Sequence, residues 1–315
     1  MHSLGSLTTE WRNPRSEHID EVSTLEMLAI INQEDATVAD AVASQLPAIA
    51  AAVDEIAARF AQGGRLFYIG AGTSGRLGVL DASECPPTFS VPPALVQGLV
   101  AGGDAALRAA CEHAEDSPEE GASDLVAAGF GIANSANPSA PTPDTLVGIA
   151  ASGRTPYVLG ALLHARQLKA FTVGLACVDD SPISKVAELT IAPVTGPEVI
   201  TGSTRMKAGT ATKLVLNMLS TGVMIRTGAV YGNLMVNVKP TNDKLIDRAH
   251  RIIIAAIGPD RHIDRFTATR LLIEAGSIKV AIAMYKLRIS REAAEERLAR
   301  AGGNLSKALH ASSGV

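Results

Sequence analysis

The chain predicts an α/β fold, a doubly wound and mainly parallel sheet followed by a small C-terminal helical domain. Three observations predict it. Five short apolar runs alternate with stretches of helical periodicity, the pattern that places parallel strands between crossover helices. Of the 315 residues 47% are apolar and 19% charged, enough aliphatic side chain for a layered core and too little net charge for disorder. Beyond Thr241 every periodic stretch is helical.

Taken in order, the first twenty or so residues are polar and aperiodic and read as an arm that wraps a partner subunit. Helical spacing runs from Thr24 to Asp35 and from Ala36 to Gln62, where Gly63-Gly64 ends it. The apolar runs Arg65 to Gly70, Val96 to Ala101, Thr145 to Ala150, Phe171 to Val178 and Leu189 to Val194 are the expected strands. Pro86-Pro87 is expected to stop the helix that opens after the first of them. Phe130 to Asp144 has no period and is expected as an exposed loop. Helices follow at Arg205 to Met224, Asp243 to Ile257, Asp264 to Ala275, Ile278 to Tyr285 and Ser290 to Ala301. The expected divisions are an arm with its helices over 1–50, a sheet domain over 51–238 and a helical domain over 239–315.

Twenty-eight basic against thirty-two acidic residues give a net charge of −4, with no polybasic run, which argues against nucleic acid and anionic membrane as partners. Aromatic residues at 3% leave no base-stacking platform. Three cysteines, Cys85, Cys111 and Cys177, have neither zinc-ligand spacing nor disulfide density. With no apolar stretch near the ~20 residues that span a bilayer, the expectation is a cytoplasmic protein without metal or other cofactor.

Chemistry concentrates in turns. Gly70-Ala-Gly72-Thr-Ser-Gly75 matches the dinucleotide fingerprint, but the acidic residue needed about 20 positions later is missing from Ser90-Val-Pro-Pro-Ala-Leu-Val. A related turn, Ala151-Ser-Gly-Arg-Thr155, follows the third strand. Two hydroxyl-rich turns opening two helices on one sheet edge suit a phosphate monoester, because helix N-termini present free N–H groups and Ser/Thr add donors; ordinary N-capping is the competing explanation. Thr201 to Thr210 joins four hydroxyls to Arg205 and Lys207, either as an anion contact or as a helix cap and solvated turn. Glu84 stands late in the helix opened by the first turn, where its carboxylate would overhang the site, and Glu115 lies in the acidic run Cys111 to Glu120, otherwise readable as a solvated helix end.

The strings Gly70 to Pro87, Gly148 to Tyr157 and Gly202 to Ala211 closely resemble the N-acetylmuramic acid 6-phosphate etherase family, from about Val22 to the C-terminus. The resemblance implies a sugar isomerase (SIS) domain, a ubiquitin-associated-like helical domain, a homodimer and no metal. It implies cleavage of the D-lactyl ether of a phosphorylated amino sugar, N-acetylmuramic acid 6-phosphate, with Glu84 as proton donor and Glu115 as its acid/base counterpart. Phosphate binding falls to Ser74, Ser152 and Thr155 with Thr73, and further substrate contacts to Gly72, Arg154, Glu198, Ser203 and Lys207. Arg154 or Lys207 would meet the lactyl carboxylate. Glu198 is a reserve base, since related sugar isomerases use one in that neighbourhood. The sequence departs from the family pattern at His113, where glycine is expected, at Asn237, and in the long loop Ala133 to Pro143. The alternatives are an aldose–ketose phosphosugar isomerase and a non-catalytic phosphosugar sensor, since glucokinase regulatory proteins share the SIS ancestry.

Overall fold

The computed structural model describes residues 8–132, 141–258 and 263–310. The chain forms two compact units, one of residues 1–83 and 93–220 and one of 84–92 and 221–315. These limits differ from the expected divisions because two long helices each run from one unit into the other and because the N-terminal arm belongs with the sheet.

In the first unit, helices α1 (Thr24–Asp35), α2 (Val38–Ala43) and α3 (Leu46–Phe60) precede the sheet. The single helix expected over 36–62 is broken at Ser44 and Gln45, with Pro47 placed in the first turn of α3, where its missing N–H is harmless. Five strands follow in the order β2-β1-β3-β4-β5, all parallel: β1 (Leu66–Gly70), β2 (Val96–Val100), β3 (Thr145–Ile149), β4 (Phe171–Leu175) and β5 (Leu189–Ile191). They are joined by α4 (Gly72–Phe89), α5 (Pro118–Ala127), α6 (Pro156–Gln167) and α7 (Pro182–Val186), and followed by α8 (Lys207–Arg226). β1, β3 and β4 are buried throughout, as central parallel strands covered on both faces must be. On one face Phe67, Ile69 and Leu146 meet Leu125, Val158 and Leu162. β1 continues to β2 on one side and β3 lies on the other, so the order reverses at β1, and the crevice beyond the carboxyl ends of β1 and β3 is where such sheets bind ligands.

α4 does not stop at the prolines. It runs through Pro86 and Pro87 to Phe89. Each proline removes one donor, but the Pro86 carbonyl still accepts the Ser90 N–H at 2.9 Å, so the helix survives to its last turn. The expected loop over 130–144 falls largely on residues outside the described ones.

The second unit contains α9 (Asp243–Ile257), α10 (Arg265–Ala275), α11 (Ile278–Leu287), α12 (Arg291–Arg300) and α13 (Leu305–His310). Asn242, Asp264, Ser277 and Ser290 each accept the backbone N–H of the third residue of the helix that follows. These four caps are the helix starts that the sequence marks with a short polar side chain. Its core is Ile253, Leu271, Leu272, Ile282, Leu298 and their neighbours.

Candidate active site

Gly70 and Ile149 are paired in the sheet register, so the turns that follow β1 and β3 stand side by side. After β1 the chain passes through Ala71 into Gly72, whose φ of +53° is left-handed, and straight into α4. The fingerprint glycines need no dinucleotide to explain them: Gly72 serves the positive φ, and Gly70 and Gly75 the close packing. A Cβ on Gly75 would lie 2.5 Å from the Gly70 carbonyl oxygen and 2.7 Å from Val100 Cγ2, so glycine is what lets α4 cross the strand ends. After β3, Gly153 has φ +65° and a Cβ there would fall 2.4 Å from Ser181. Thr155 is the N-cap residue of α6, yet its hydroxyl makes no capping bond. The hydroxyls of Thr73, Ser74, Ser152 and Thr155 have no hydrogen-bond partner among the described residues. Ordinary capping therefore does not account for Thr155, and all four are half-buried and available to an anion.

Glu115 is exposed and lines a cavity of about 320 Å³ with Gly72, Arg76, Ala101, Ala106 and His113 among its walls. Two features fix it there. The Tyr157 N–H in the first turn of α6 donates to the Glu115 carbonyl at 3.1 Å, tying this segment to the second hydroxyl turn. α5 and α6 approach so closely that a Cβ on Gly121 or Gly160 would reach about 2 Å from a facing backbone carbonyl. Tyr157 in turn donates its hydroxyl to Asp124 Oδ2 at 2.7 Å, and burial together with that carboxylate pushes the phenol above its ordinary value of 10.0. His113, where the family pattern calls for glycine, adopts φ +62°, the left-handed region in which glycine is at ease.

The third cluster is differently placed. Glu198 is fully buried, and its two oxygens accept the N–H groups of Lys207 and Ala208, each at 2.9 Å, capping α8. Lys207 donates to Glu34 Oε2 at 2.6 Å, the side chains being 3% and 7% exposed. Asn13 and Arg15 complete the shell of Glu34 at 2.8 and 3.1 Å. Burial pushes the Glu34 carboxyl up, but the hydrogen bonds from Lys207 and Asn13 and the charges of Lys207 and Arg15 outweigh it, leaving the group below its ordinary 4.5. The expectations of Lys207 as a substrate cation and Glu198 as a reserve base are thus corrected: both are committed to a buried helix start. The arm also bonds within its own unit, Asn13 donating to the Pro197 carbonyl and Ser16 to the Val199 carbonyl. Ser203 lies half-buried in the turn before α8, and Arg154 is half-buried beyond β3.

Glu84 is exposed on the part of α4 that belongs to the second unit. The first unit brings together the two hydroxyl turns and Glu115; Glu84 is not among these. Arg76 and Asp81 are further α4 residues that the sequence did not single out. Asp81 is half-buried and accepts from Ser220 Oγ at 3.1 Å; burial, against the Ser220 and Tyr68 hydrogen bonds and the charge of Lys213, raises its carboxyl from 3.8 to about 6. Cys177 is fully buried and its thiol is pushed up to about 12 by that burial, so it is a packing residue.

A parallel α/β sheet with paired hydroxyl turns at its switch point and a carboxylate in the adjoining cavity defines a SIS-type domain. A family profile for the glucokinase regulatory protein N-terminal SIS domain matches residues 48–166. An N-acetylmuramic acid 6-phosphate etherase from Pectobacterium atrosepticum is 52% identical over 309 residues, covering 98% of this chain and 97% of that one. One from Aeromonas hydrophila is 53% identical over 308 residues, with 98% and 99% covered. Among solved structures, a phosphoheptose isomerase from Francisella tularensis aligns with 64% of this chain and 98% of its own at 16% identity and a TM-score of 0.43. The chain belongs to the N-acetylmuramic acid 6-phosphate etherase family.

Proposed function

We propose that the chain cleaves the D-lactyl ether of N-acetylmuramic acid 6-phosphate with water, giving N-acetylglucosamine 6-phosphate and D-lactate. The observation that carries this reading is likeness at about half identity across nearly the whole length of the etherases named above. The phosphate sits between the turns after β1 and β3, held by Thr73, Ser74, Ser152 and Thr155 with the N–H groups of Gly72 and of the first turns of α4 and α6. Anchoring at C6 is remote from the reacting carbons and orients them.

In the open-chain sugar the C1 aldehyde acidifies the C2 hydrogen. One carboxylate removes that proton; the C3–O bond breaks, and the second carboxyl protonates the departing lactate oxygen. Water then adds to C3 of the unsaturated aldehyde while C2 recovers a proton. Glu115 and Glu84 are the pair, and their donor and acceptor roles alternate between the two half-reactions. We also propose a cytoplasmic homodimer, to be checked by gel filtration at twice the chain mass.

Incubation with N-acetylmuramic acid 6-phosphate should release D-lactate; sugar interconversion without lactate would overturn the reading. Lactate release unaltered in Glu84→Gln would remove Glu84 from it. The match to a regulatory-protein SIS domain favours a second reading, a phosphosugar sensor. A sensor would bind the sugar phosphate and release nothing.

A further inference from the structure

We propose that Arg76 receives the lactyl carboxylate, which makes the cavity beside Glu115 the pocket that distinguishes a lactyl ether from an unsubstituted sugar phosphate. The proposal rests on the etherase reading above and names the specificity of that same site. A substrate with a phosphoryl group at C6 and a carboxylate at the far end of its C3 substituent needs two separate anion holders. Lys207 is not available for the second, since it is spent on Glu34 in a buried pair. Arg154 follows β3 in the turn assigned to the phosphate and is not among the residues lining the Glu115 cavity.

Arg76 lines that cavity from the start of the second turn of α4. Its Nε donates to the Ala106 carbonyl at 2.8 Å and its Nη2 to the Ala109 carbonyl at 3.1 Å. Both acceptors are neutral, so the guanidinium is held in place while its charge stays uncompensated; among the described residues no carboxylate pairs with it. A guanidinium has five N–H donors in a planar fork, so Nη1 and the second Nη2 hydrogen are left to meet a carboxylate. The other walls fit the rest of the group. Ala101 and Ala106 offer small apolar contacts to the lactyl methyl, and Glu115, one of the two acid/base carboxylates, stands at the same cavity. Glu112 and Glu115 would repel an entering anion, and Arg76 is the charge that offsets them.

The test compares N-acetylmuramic acid 6-phosphate with its lactamide, in which the carboxylate is a primary amide, on wild type, Arg76→Gln and Arg76→Lys. Wild type should prefer the carboxylate by ~10- to 100-fold in kcat/KM, chiefly through KM, the size of a charge-assisted pair in a partly open site. Arg76→Gln should abolish that preference, Arg76→Lys should restore part of it, and inhibition by N-acetylglucosamine 6-phosphate should stay unchanged in all three. A preference retained in Arg76→Gln would overturn the proposal. So would an equal loss of N-acetylglucosamine 6-phosphate binding, which puts the arginine on the phosphate, or an equal fall for both substrates, which leaves it only a brace for the Ala106 to Ala109 backbone. Calorimetric binding of the two compounds and of N-acetylglucosamine 6-phosphate separates this from the function itself. If wild type released no lactate the etherase reading would fall, while Arg76-dependent preference for the carboxylate would still uphold the pocket.

Discussion

The segment from Glu198 to Lys207 and the segment from Cys111 to Asp116 both lead into a helix with acidic and basic side chains close together, and the sequence weighs them almost alike. The fold treats them in opposite ways. Glu198, Lys207 and Glu34 are buried, with both Glu198 oxygens, the Lys207 ammonium and both Glu34 oxygens bonded inside the protein. Glu112, His113, Glu115 and Asp116 are exposed, on a segment with a left-handed residue and tied down at Glu115 by its backbone. Hydrogen-bond saturation, more than residue type, separates a polar cluster that builds the fold from one that is left to meet a substrate.

The largest effects should fall on opposite properties in the two segments. Glu115→Gln keeps size and removes the proton that moves, so lactate release should fall by ~10²- to 10⁴-fold with an unchanged melting temperature. Lys207→Met should do the reverse. It strands Glu34 as a buried carboxylate without its ammonium, and breaking such a pair destabilises by about 3–5 kcal/mol, read as a lower urea midpoint. Replacing Glu34 by Leu in the Lys207→Met background should recover much of the loss, because the stranded charge goes with it. If Lys207→Met instead lost activity at full stability, the contrast between the segments would collapse.

That contrast explains which parts of the site the sequence discloses. The five strands, the order of helices and the two hydroxyl turns are legible because periodicity and turn chemistry are local properties. Pairing of Gly70 with Ile149, which sets the turns side by side, is inferred only through the parallel-sheet rule. Lys207 is misread because its partner Glu34 lies 173 residues earlier, and no local pattern reports so distant a contact. Arg76 is passed over for the same reason: what marks it is a shared cavity with Glu115 and bonds to carbonyls 30 and 33 residues away. The continuation of α4 past Pro86 and Pro87 is misjudged on local grounds, since a proline's cost falls with the few backbone bonds left beyond it.

Asp81 lies between the two extremes and gives the comparison a pH axis. It is half-buried like neither segment, with a hydroxyl donor from Ser220 where Glu34 has two cations. Its native carboxyl holds a proton up to about pH 6, whereas the unfolded chain releases it near 3.8. Between those values the native state binds more protons, so stability falls as pH rises through this window and the full penalty is present above it. Asp81→Asn removes the titration. Wild type should lose on the order of 2 kcal/mol relative to Asp81→Asn between pH 4 and pH 7, measured as the difference between their denaturation free energies. Parallel curves for the two proteins would place the Asp81 carboxyl with the well-compensated group of Glu34.

His113→Gly should have the smallest effect, and its smallness is the point. The histidine holds φ +62°, which costs a non-glycine residue about 1–2 kcal/mol. Glycine removes that strain but gives the unfolded chain more freedom, worth about 0.5–1 kcal/mol in the other direction. The change also deletes the contact of His113 Nδ1 with Asp116 Oδ2 at 3.3 Å, between side chains 88% and 66% exposed, where such pairs contribute little. These terms nearly cancel, so a shift under about 1 kcal/mol is expected with kcat retained, because the tie from Tyr157 to the Glu115 backbone is untouched. A loss of several kcal/mol would mean that the acidic segment is structural after all, built into the fold as firmly as the start of α8.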